Sequence, residues 1–218
     1  MEKDQKVYYI RKVVSDSEEK EGFWDFIQPL FINDFPWNKE ACNIEAEVRL
    51  AYTDTELRVK FVVKESEIKA DYFQINDPVY KDSCVEFFLN PDPQNDKRYI
   101  NFECNAIGVF LLQIGEGQEN RCFISEYNEE FFKIKTSVNR ENRNNYEKEY
   151  WQVEYSIPFT FLEIFYGSLM IKSGYWITGN FYKCGDETKK PHYGCCYPIV
   201  NAVPNFHKPE YFKKIIFE

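Results

Sequence analysis

The sequence predicts an all-β fold in which two antiparallel sheets pack as a β-sandwich, with one short helix. Aromatic residues make up 18% of the chain and include 20 Phe and 16 Tyr, and such flat side chains suit a pleated, half-buried sheet surface. Roughly ten segments also alternate apolar and polar residues with a period of two. That number of strands is enough for two packed sheets.

The alternation is clearest from Glu45 to Leu50, where charged and apolar residues take turns. The same pattern predicts strands at residues 7–14, 45–51, 57–64, 82–90, 98–106, 108–114, 131–138, 151–157, 175–183 and 213–217. Turn chemistry at residues 53–55 and in the stretch NPDPQNDK predicts two hairpins. Pro158 near a first turn and Gly167 after a last turn predict the short helix.

Composition limits the classes of partner. The formal net charge of −9 offers no basic field to phosphate backbones or anionic lipids, so we expect no nucleic acid and no membrane partner. The chain has no apolar run long enough to span a bilayer, and its N-terminus lacks the apolar core of a signal peptide. We therefore predict a cytoplasmic protein for the chain as written, and a secreted one if the chain is a mature form without its signal peptide.

The sequence also predicts the number of domains and the redox state of the cysteines. The 218 residues contain no repeat and no Pro/Ser-rich linker, so we predict one domain over residues 1–218. Seven cysteines stand at irregular spacings, which is unlike a disulfide framework and fits a reducing compartment.

Two of the predicted strands carry polar residues in a row. On the second, the residues that share one side are Tyr99, Asn101, Glu103 and Asn105. On the first, Glu86 shares its side with Cys84 and Phe88, so its carboxylate is partly desolvated and needs a hydrogen-bonding or cationic partner. The row is open to two interpretations: a solvent-facing surface with Glu86 in a structural ion pair, or a binding site.

Three sequence motifs carry a resemblance to a known family. They are DSCVEFF from Asp82, YINFECNAIG from Tyr99, and PNFHKPEYF from Pro204. Together they resemble family 9 carbohydrate-binding modules and their DOMON-like relatives, over a region that runs from Trp24 to the C-terminus. The resemblance implies a jelly-roll β-sandwich that holds a sugar between two aromatic side chains, with polar groups bonded to the sugar hydroxyls.

The resemblance also implies roles for individual residues. Glu86 matches the family carboxylate that binds sugar hydroxyls, Tyr80 matches one aromatic wall, and Tyr197 matches the other. Both walls are usually Trp in sugar-binding members, so two Tyr rings would offer smaller faces and weaker or altered binding. Where those members carry an Arg on the strand after the loop, this chain has Glu103, which replaces a donor by a second acid.

Three further residues complete the predicted ligand-binding set. Asn101 and Asn105 share the row with Glu103, and Lys183 ends the strand that begins near residue 175. Since close like charges raise one pKa, Glu86 and Glu103 on neighbouring strands would need a proton or a cation between them.

Metal sites are weakly indicated. The family binds structural calcium, for which the loop acids offer hard oxygen ligands: Asp82, Asp92, Asp96 and Asp186. A zinc site around His192, Cys195 and Cys196 has no usual zinc spacing, and adjacent cysteines on a strand face opposite ways. We therefore assign no metal ligands and keep structural calcium as an open possibility.

Three functions fit these observations. The first is a non-catalytic domain that binds a mono- or oligosaccharide. The second is a structural or interaction domain that has kept the fold and lost the sugar site. The third is a glycoside hydrolase, because a retaining enzyme needs two carboxyl groups about 5 Å apart and Glu86 with Glu103 could supply them. We favour the first and predict that the chain is not an enzyme.

Overall fold

The computed structural model describes residues 7–14, 22–38, 43–65, 67–125 and 129–218. The strands in these ranges are β1 Tyr8–Lys12, β2 Leu30–Ile32, β3 Glu45–Tyr52, β4 Glu56–Lys64, β5 Cys84–Asn90, β6 Tyr99–Asn105, β7 Phe110–Gly115, β8 Cys122–Phe123, β9 Lys135–Thr136, β10 Tyr150–Pro158, β11 Trp176–Cys184, β12 Tyr193–Cys195 and β13 Lys213–Phe217. Helix α1 spans Phe159–Tyr166. No helix in the described ranges has both the length and the apolar character needed to cross a bilayer.

The strands form one large, curled and mixed sheet. The order of its strands is β8-β7-β6-β5-β11-β13-β1-β3-β4-β10-β9. Two further strands lie outside this order: β12 pairs with β11, and β2 pairs with β3. Strand β1 runs parallel to both of its neighbours, pairing with β13 through Tyr8, Tyr9 and Ile10 and with β3 through its last two residues. The prediction of strictly antiparallel sheets is therefore wrong, because β1 inserts between two strands that run in its own direction.

The local predictions have mixed outcomes. Both predicted hairpins form, as β3 with β4 and β5 with β6. The predicted helix is α1, and Gly167 follows it with a φ of 75°, a conformation that glycine adopts without steric cost. The strand predicted at 131–138 is reduced to β9, because Lys133 has a φ of 47° and cannot continue an extended backbone.

The main core lies between the two arms of the curled sheet. Rings from β4 and β11 meet at Phe61 and Phe181, whose centroids are 6.3 Å apart, and rings from β6 and β10 meet at Phe102 and Tyr155, also 6.3 Å apart. These contacts place the apolar side of β5, β6 and β11 against β4 and β10.

A second, smaller apolar cluster covers the other side of β5, β6 and β11. It joins Phe88, Tyr99 and Tyr182 from the strands to Phe206 and Phe212 from the segment that precedes β13. The ring of Phe206 stacks on Tyr182 at 4.2 Å. The polar row of β6 lies on this second side of the sheet, and every residue of β6 is buried. This corrects the interpretation of the row as a solvent-facing surface.

Candidate functional site

A cleft with a volume of about 570 Å³ opens on this second side of the sheet. Its acidic lining consists of Glu86, Glu103 and Asp186, and its aromatic lining includes Tyr80, Phe88, Phe123, Tyr193, Phe206 and His207. The lining includes no Lys or Arg among the described residues. The volume is in the range of small-ligand sites, which combine apolar walls with a few convergent polar groups.

Two carboxyl groups form the centre of the cleft. Glu86 on β5 lies directly opposite Glu103 on β6, and both side chains are almost fully buried. Asn101 donates a hydrogen bond of 2.7 Å to Glu103 Oε1, while Glu103 Oε2 has no hydrogen-bond partner. The cleft therefore contains a buried oxygen whose bonding capacity is unused, which is costly unless a ligand or water meets it.

Burial dominates the electrostatics of these acids. It raises the pKa of Glu103 to about 7, against the opposing effects of the Asn101 hydrogen bond and the Arg121 charge. Burial also raises the pKa of Glu86, with further contributions from Cys184 and Glu103, and burial with the charge of Glu187 raises that of Asp186 to about 6. Near neutral pH the cleft can therefore hold both protonated and ionised carboxyl groups, which donate and accept hydrogen bonds respectively.

Arg121 contacts the site through Asn101. It was not identified as a site residue from the sequence. Its Nε donates to Asn101 Oδ1 at 3.1 Å, and its guanidinium lies 4.2 Å from the ring centroid of Tyr99. Since Asn101 in turn donates to Glu103, the three residues form a chain from a cation to the cleft carboxyl group. Arg121 precedes the two-residue strand β8, and nothing in the local sequence pattern indicates where that segment folds.

Tyr80, the residue predicted as one aromatic wall, lines the cleft. It belongs to a short 3-10 turn, Val79–Lys81, just before β5, and the residue is 36% exposed. Its carbonyl oxygen accepts a hydrogen bond of 3.1 Å from the backbone N–H of Asp186, which fixes the turn next to the end of β11. Phe123 on β8 also lines the cleft and is 56% exposed.

Tyr197 does not line the cleft, which corrects its predicted place as the second aromatic wall. Its side chain is 3% exposed and belongs to the main core, on the other side of the sheet. Asn180 holds the backbone of Tyr197 by donating to its carbonyl oxygen at 2.9 Å and accepting from its N–H at 3.0 Å.

Lys183 also lies outside the cleft, contrary to prediction. Its neighbours Tyr182 and Cys184 face the second cluster, so the alternation of β11 turns Lys183 to the opposite side. There its fully buried Nζ lies 3.3 Å from Glu65 Oε2 and 2.8 Å from His192 Nε2. Lys183 is therefore the cation of a buried structural ion pair.

Asn105, also predicted to bind the ligand, does not line the cleft and is fully buried. Its Nδ2 donates to Asp82 Oδ2 at 3.0 Å and to the carbonyl oxygen of Tyr72 at 2.9 Å. Asp82 also accepts from the backbone N–H of Asp71 and pairs with Lys69 at 3.1 Å. These bonds use both carboxylate oxygens of Asp82, which leaves it poorly suited to calcium.

The other candidate metal ligands are spread apart. Asp96 pairs with Arg98 at 2.6 Å, Asp92 accepts from Asn95 in the same loop, and Asp186 lines the cleft. Cys195 Sγ lies against Asp34, and His192 bonds Lys183, so the residues considered for zinc do not meet. Structural calcium stays a prediction.

A different group of metal-ligand residues does meet. Cys84, Glu86 and Cys184 are all buried, and one ligand atom from each lies within 4.8 Å of the others. The Cys184 thiol donates to Glu86 Oε1 at 2.9 Å. Cys84 and Cys184 are opposite each other on β5 and β11. These two residues are 100 positions apart in the chain, so the sequence pattern could not reveal that they pair.

A mostly β fold with a cleft of convergent carboxyl groups and exposed aromatic rings defines a ligand-binding β domain. A family model described as carbohydrate-binding family 9 matches residues 25–217. The chain belongs to carbohydrate-binding family 9, which confirms the resemblance found in its motifs. It is a non-catalytic carbohydrate-binding domain rather than an enzyme. No curated protein matches the chain.

Solved structures agree with this assignment. A protein from Bacteroides uniformis, provisionally described as carbohydrate-binding, is 30% identical with a TM-score of 0.82, and the match covers 98% of this chain and 99% of that one. A family 9 module from Caldicellulosiruptor kristjanssonii in complex with glucose is 15% identical with a TM-score of 0.64, covering 98% and 96%. The cellotriose complex of such a module, also 15% identical, has a TM-score of 0.62 and covers 98% and 94%. The last two likenesses concern the fold alone.

Proposed function

We propose that the cleft between Tyr80 and Phe123 is the carbohydrate site of this domain, and that it binds one sugar residue of a mono- or oligosaccharide. The observation that carries this assignment is Glu103 Oε2, a buried carboxyl oxygen without a partner that lines a cleft of about 570 Å³. A sugar hydroxyl can satisfy this oxygen, because a hydroxyl group both donates and accepts hydrogen bonds.

The aromatic contacts are assigned from exposure. Tyr80 and Phe123 line the same cleft and are both exposed, whereas Phe206 is buried and stacked on Tyr182. An aromatic ring packs against the C–H face of a sugar while the hydroxyl groups stay free for polar contacts. Phe123 thus takes the place first predicted for Tyr197.

Glu86 is assigned to the same sugar as a second hydrogen-bonding group. It lies beside Glu103 in register and lines the cleft. Asn101 acts through Glu103, since its amide holds Glu103 Oε1 and leaves Oε2 for the ligand. The related module that binds glucose and the one that binds cellotriose make glucose and short β-glucans the first ligands to test.

The fold assignment that supports this site is a two-layer sandwich within one domain. The ring contacts of β4 with β11 and of β6 with β10 support it, because they require the two arms of the sheet to face each other. Strand β1 then joins the layers, since it pairs with both β13 and β3.

The test is isothermal titration calorimetry against a panel of mono- and oligosaccharides. The protein is first treated with a chelator to remove bound metal ions. We expect saturable binding by the wild type, a loss of at least about tenfold in affinity for Tyr80→Ala and Phe123→Ala, and wild-type affinity for the matched surface controls Tyr9→Ala and Phe26→Ala. Absence of binding to every sugar at millimolar concentration by the folded wild type would favour the alternative, a domain of this fold that has lost its sugar site.

A further inference from the structure

We propose that Cys84, Glu86 and Cys184 form a binding site for a borderline-soft divalent metal ion of the Zn²⁺ class at the floor of the cleft. The site shares Glu86 with the proposed sugar contacts but includes neither Tyr80 nor Phe123, and metal binding does not depend on the proposed sugar binding.

The geometry of the sheet brings the three side chains together. Cys84 and Glu86 are two residues apart on β5, so they share one side of the strand. Cys184 on β11 is the direct cross-strand partner of Cys84. The thiol of Cys184 also reaches diagonally to Glu86 Oε1 at 2.9 Å.

The spacing suits a tetrahedral metal ion. With Zn–S near 2.3 Å and Zn–O near 2.1 Å, tetrahedral ligand atoms lie about 3.6–3.8 Å from one another. The two sulfur atoms and one carboxylate oxygen of this cluster all lie within 4.8 Å of one another. Small side-chain rotations are therefore sufficient to place an ion between them.

The donor set selects the kind of metal. Two thiolates favour zinc and other borderline or soft ions over calcium and magnesium, which take oxygen ligands. Three deprotonated ligands carry three negative charges, so a divalent cation leaves the site close to neutrality. It also supplies the cationic partner that the buried carboxyl group of Glu86 otherwise lacks.

The position of the cluster leaves one coordination site accessible. Glu86 and Cys184 line the cleft, together with Glu103 and Asp186. Three protein ligands and a fourth position that faces a cavity are typical of zinc sites that bind water or a ligand. The fourth ligand is therefore water or an oxygen from the cleft.

The test is a titration of the reduced full-length chain with Co²⁺, followed by displacement with Zn²⁺, in the absence of sugar. We expect one equivalent of Co²⁺ to give thiolate-to-cobalt charge-transfer absorption with tetrahedral d–d bands. Zn²⁺ should abolish both. Cys84→Ser and Cys184→Ser should bind at least about 100-fold more weakly, and the control Cys195→Ser, which removes a buried thiol outside the cluster, should behave as the wild type.

Cadmium NMR on the wild type keeps the proposal testable if a serine variant fails to fold. Its chemical shift reports the number of thiolate ligands, and we expect the value for two. A folded wild type without charge-transfer absorption, the same absorption in folded Cys184→Ser, or a cadmium shift without thiolate ligands would overturn the proposal. None of these results bears on the calorimetric test of sugar binding.

Discussion

Glu86 and Glu103 lie directly opposite each other on β5 and β6, and both carboxyl groups line one cleft. No Lys or Arg side chain lines that cleft among the described residues. A pair of buried acids in this arrangement is costly for folding, because the ionised forms repel each other and are desolvated. A ligand that bonds to both carboxyl groups would offset part of this cost.

Glu103→Gln is expected to separate stability from binding. The amide keeps an acceptor for Asn101 and removes a buried charge, so the free energy of unfolding at pH 8 should stay unchanged or rise by up to about 2 kcal/mol. Sugar affinity should fall, because an amide replaces the carboxylate acceptor in the cleft. Urea unfolding and calorimetry measure the two effects, and a marked loss of stability would mean that Glu103 has a structural partner instead.

Lys183→Met is expected to destabilise the fold without affecting the cleft. Removal of Nζ leaves Glu65 buried without its cation, at a cost of about 3–5 kcal/mol. The matched control is Lys64→Met, which removes a partly exposed lysine paired with the exposed Glu45 and Glu149 and should change stability little. If the variant still folds, it should bind sugar as the wild type does. A loss of sugar affinity without a loss of stability would contradict this prediction and indicate that Lys183 contacts the sugar.

Tyr197→Phe is expected to be tolerated. The hydroxyl group is buried and has no hydrogen-bond partner in the structure, so its removal should leave stability unchanged or raise it by about 1 kcal/mol. Sugar affinity should not change, since the ring lies in the main core. The comparison is Tyr99→Phe, which removes a bond of 2.8 Å to His207 Nδ1 and should be destabilising. Weaker sugar binding by Tyr197→Phe would contradict the placement of this ring.

His207 should make stability depend on pH. Burial, together with the nearby charge of Arg121, lowers the pKa of His207 to about 3. The unfolded state therefore binds more protons between pH 6.5 and 3, and the stability that the neutral ring contributes above pH 6.5 is lost as the pH falls through this range. His192 has a similarly lowered pKa, mainly from burial and the charge of Lys183.

The measurement is urea unfolding of the wild type and of His207→Gln from pH 7 to pH 4. The wild type should lose more stability than the variant, by an amount on the order of 2–4 kcal/mol at pH 4. His192 is present in both proteins, so its contribution to the pH dependence of stability is the same in both and cancels when they are compared. An identical pH dependence of the two proteins would contradict a depressed pKa for His207.

Much of the sheet could be predicted from local sequence. Period-two alternation identified β3 to β6 and their hairpins, because these strands are seven to nine residues long and bury one apolar face in the main core. Strands β2, β8 and β12 have only two or three residues, too few for a period to be detected. The parallel pairing of β1 depends on contacts with β13, about 200 residues further along the chain, and with β3, about 40 residues further along.

The site was predictable only in part. Glu86, Glu103 and Tyr80 lie in or beside one hairpin, so local alternation and the family motif place them together. Tyr197 was misassigned because it follows the end of β12, where alternation no longer fixes the direction of a side chain. The pairing of Cys84 with Cys184 depends on the register between β5 and β11, which local sequence does not encode.

The most direct test of the central claim is a crystal structure of the wild type with a bound sugar from the calorimetric panel. We predict a sugar ring packed against Tyr80, with a hydroxyl group within hydrogen-bonding distance of Glu103 Oε2. Electron density for the sugar at another surface, with the cleft holding only water, would contradict the assignment of this cleft as the carbohydrate site.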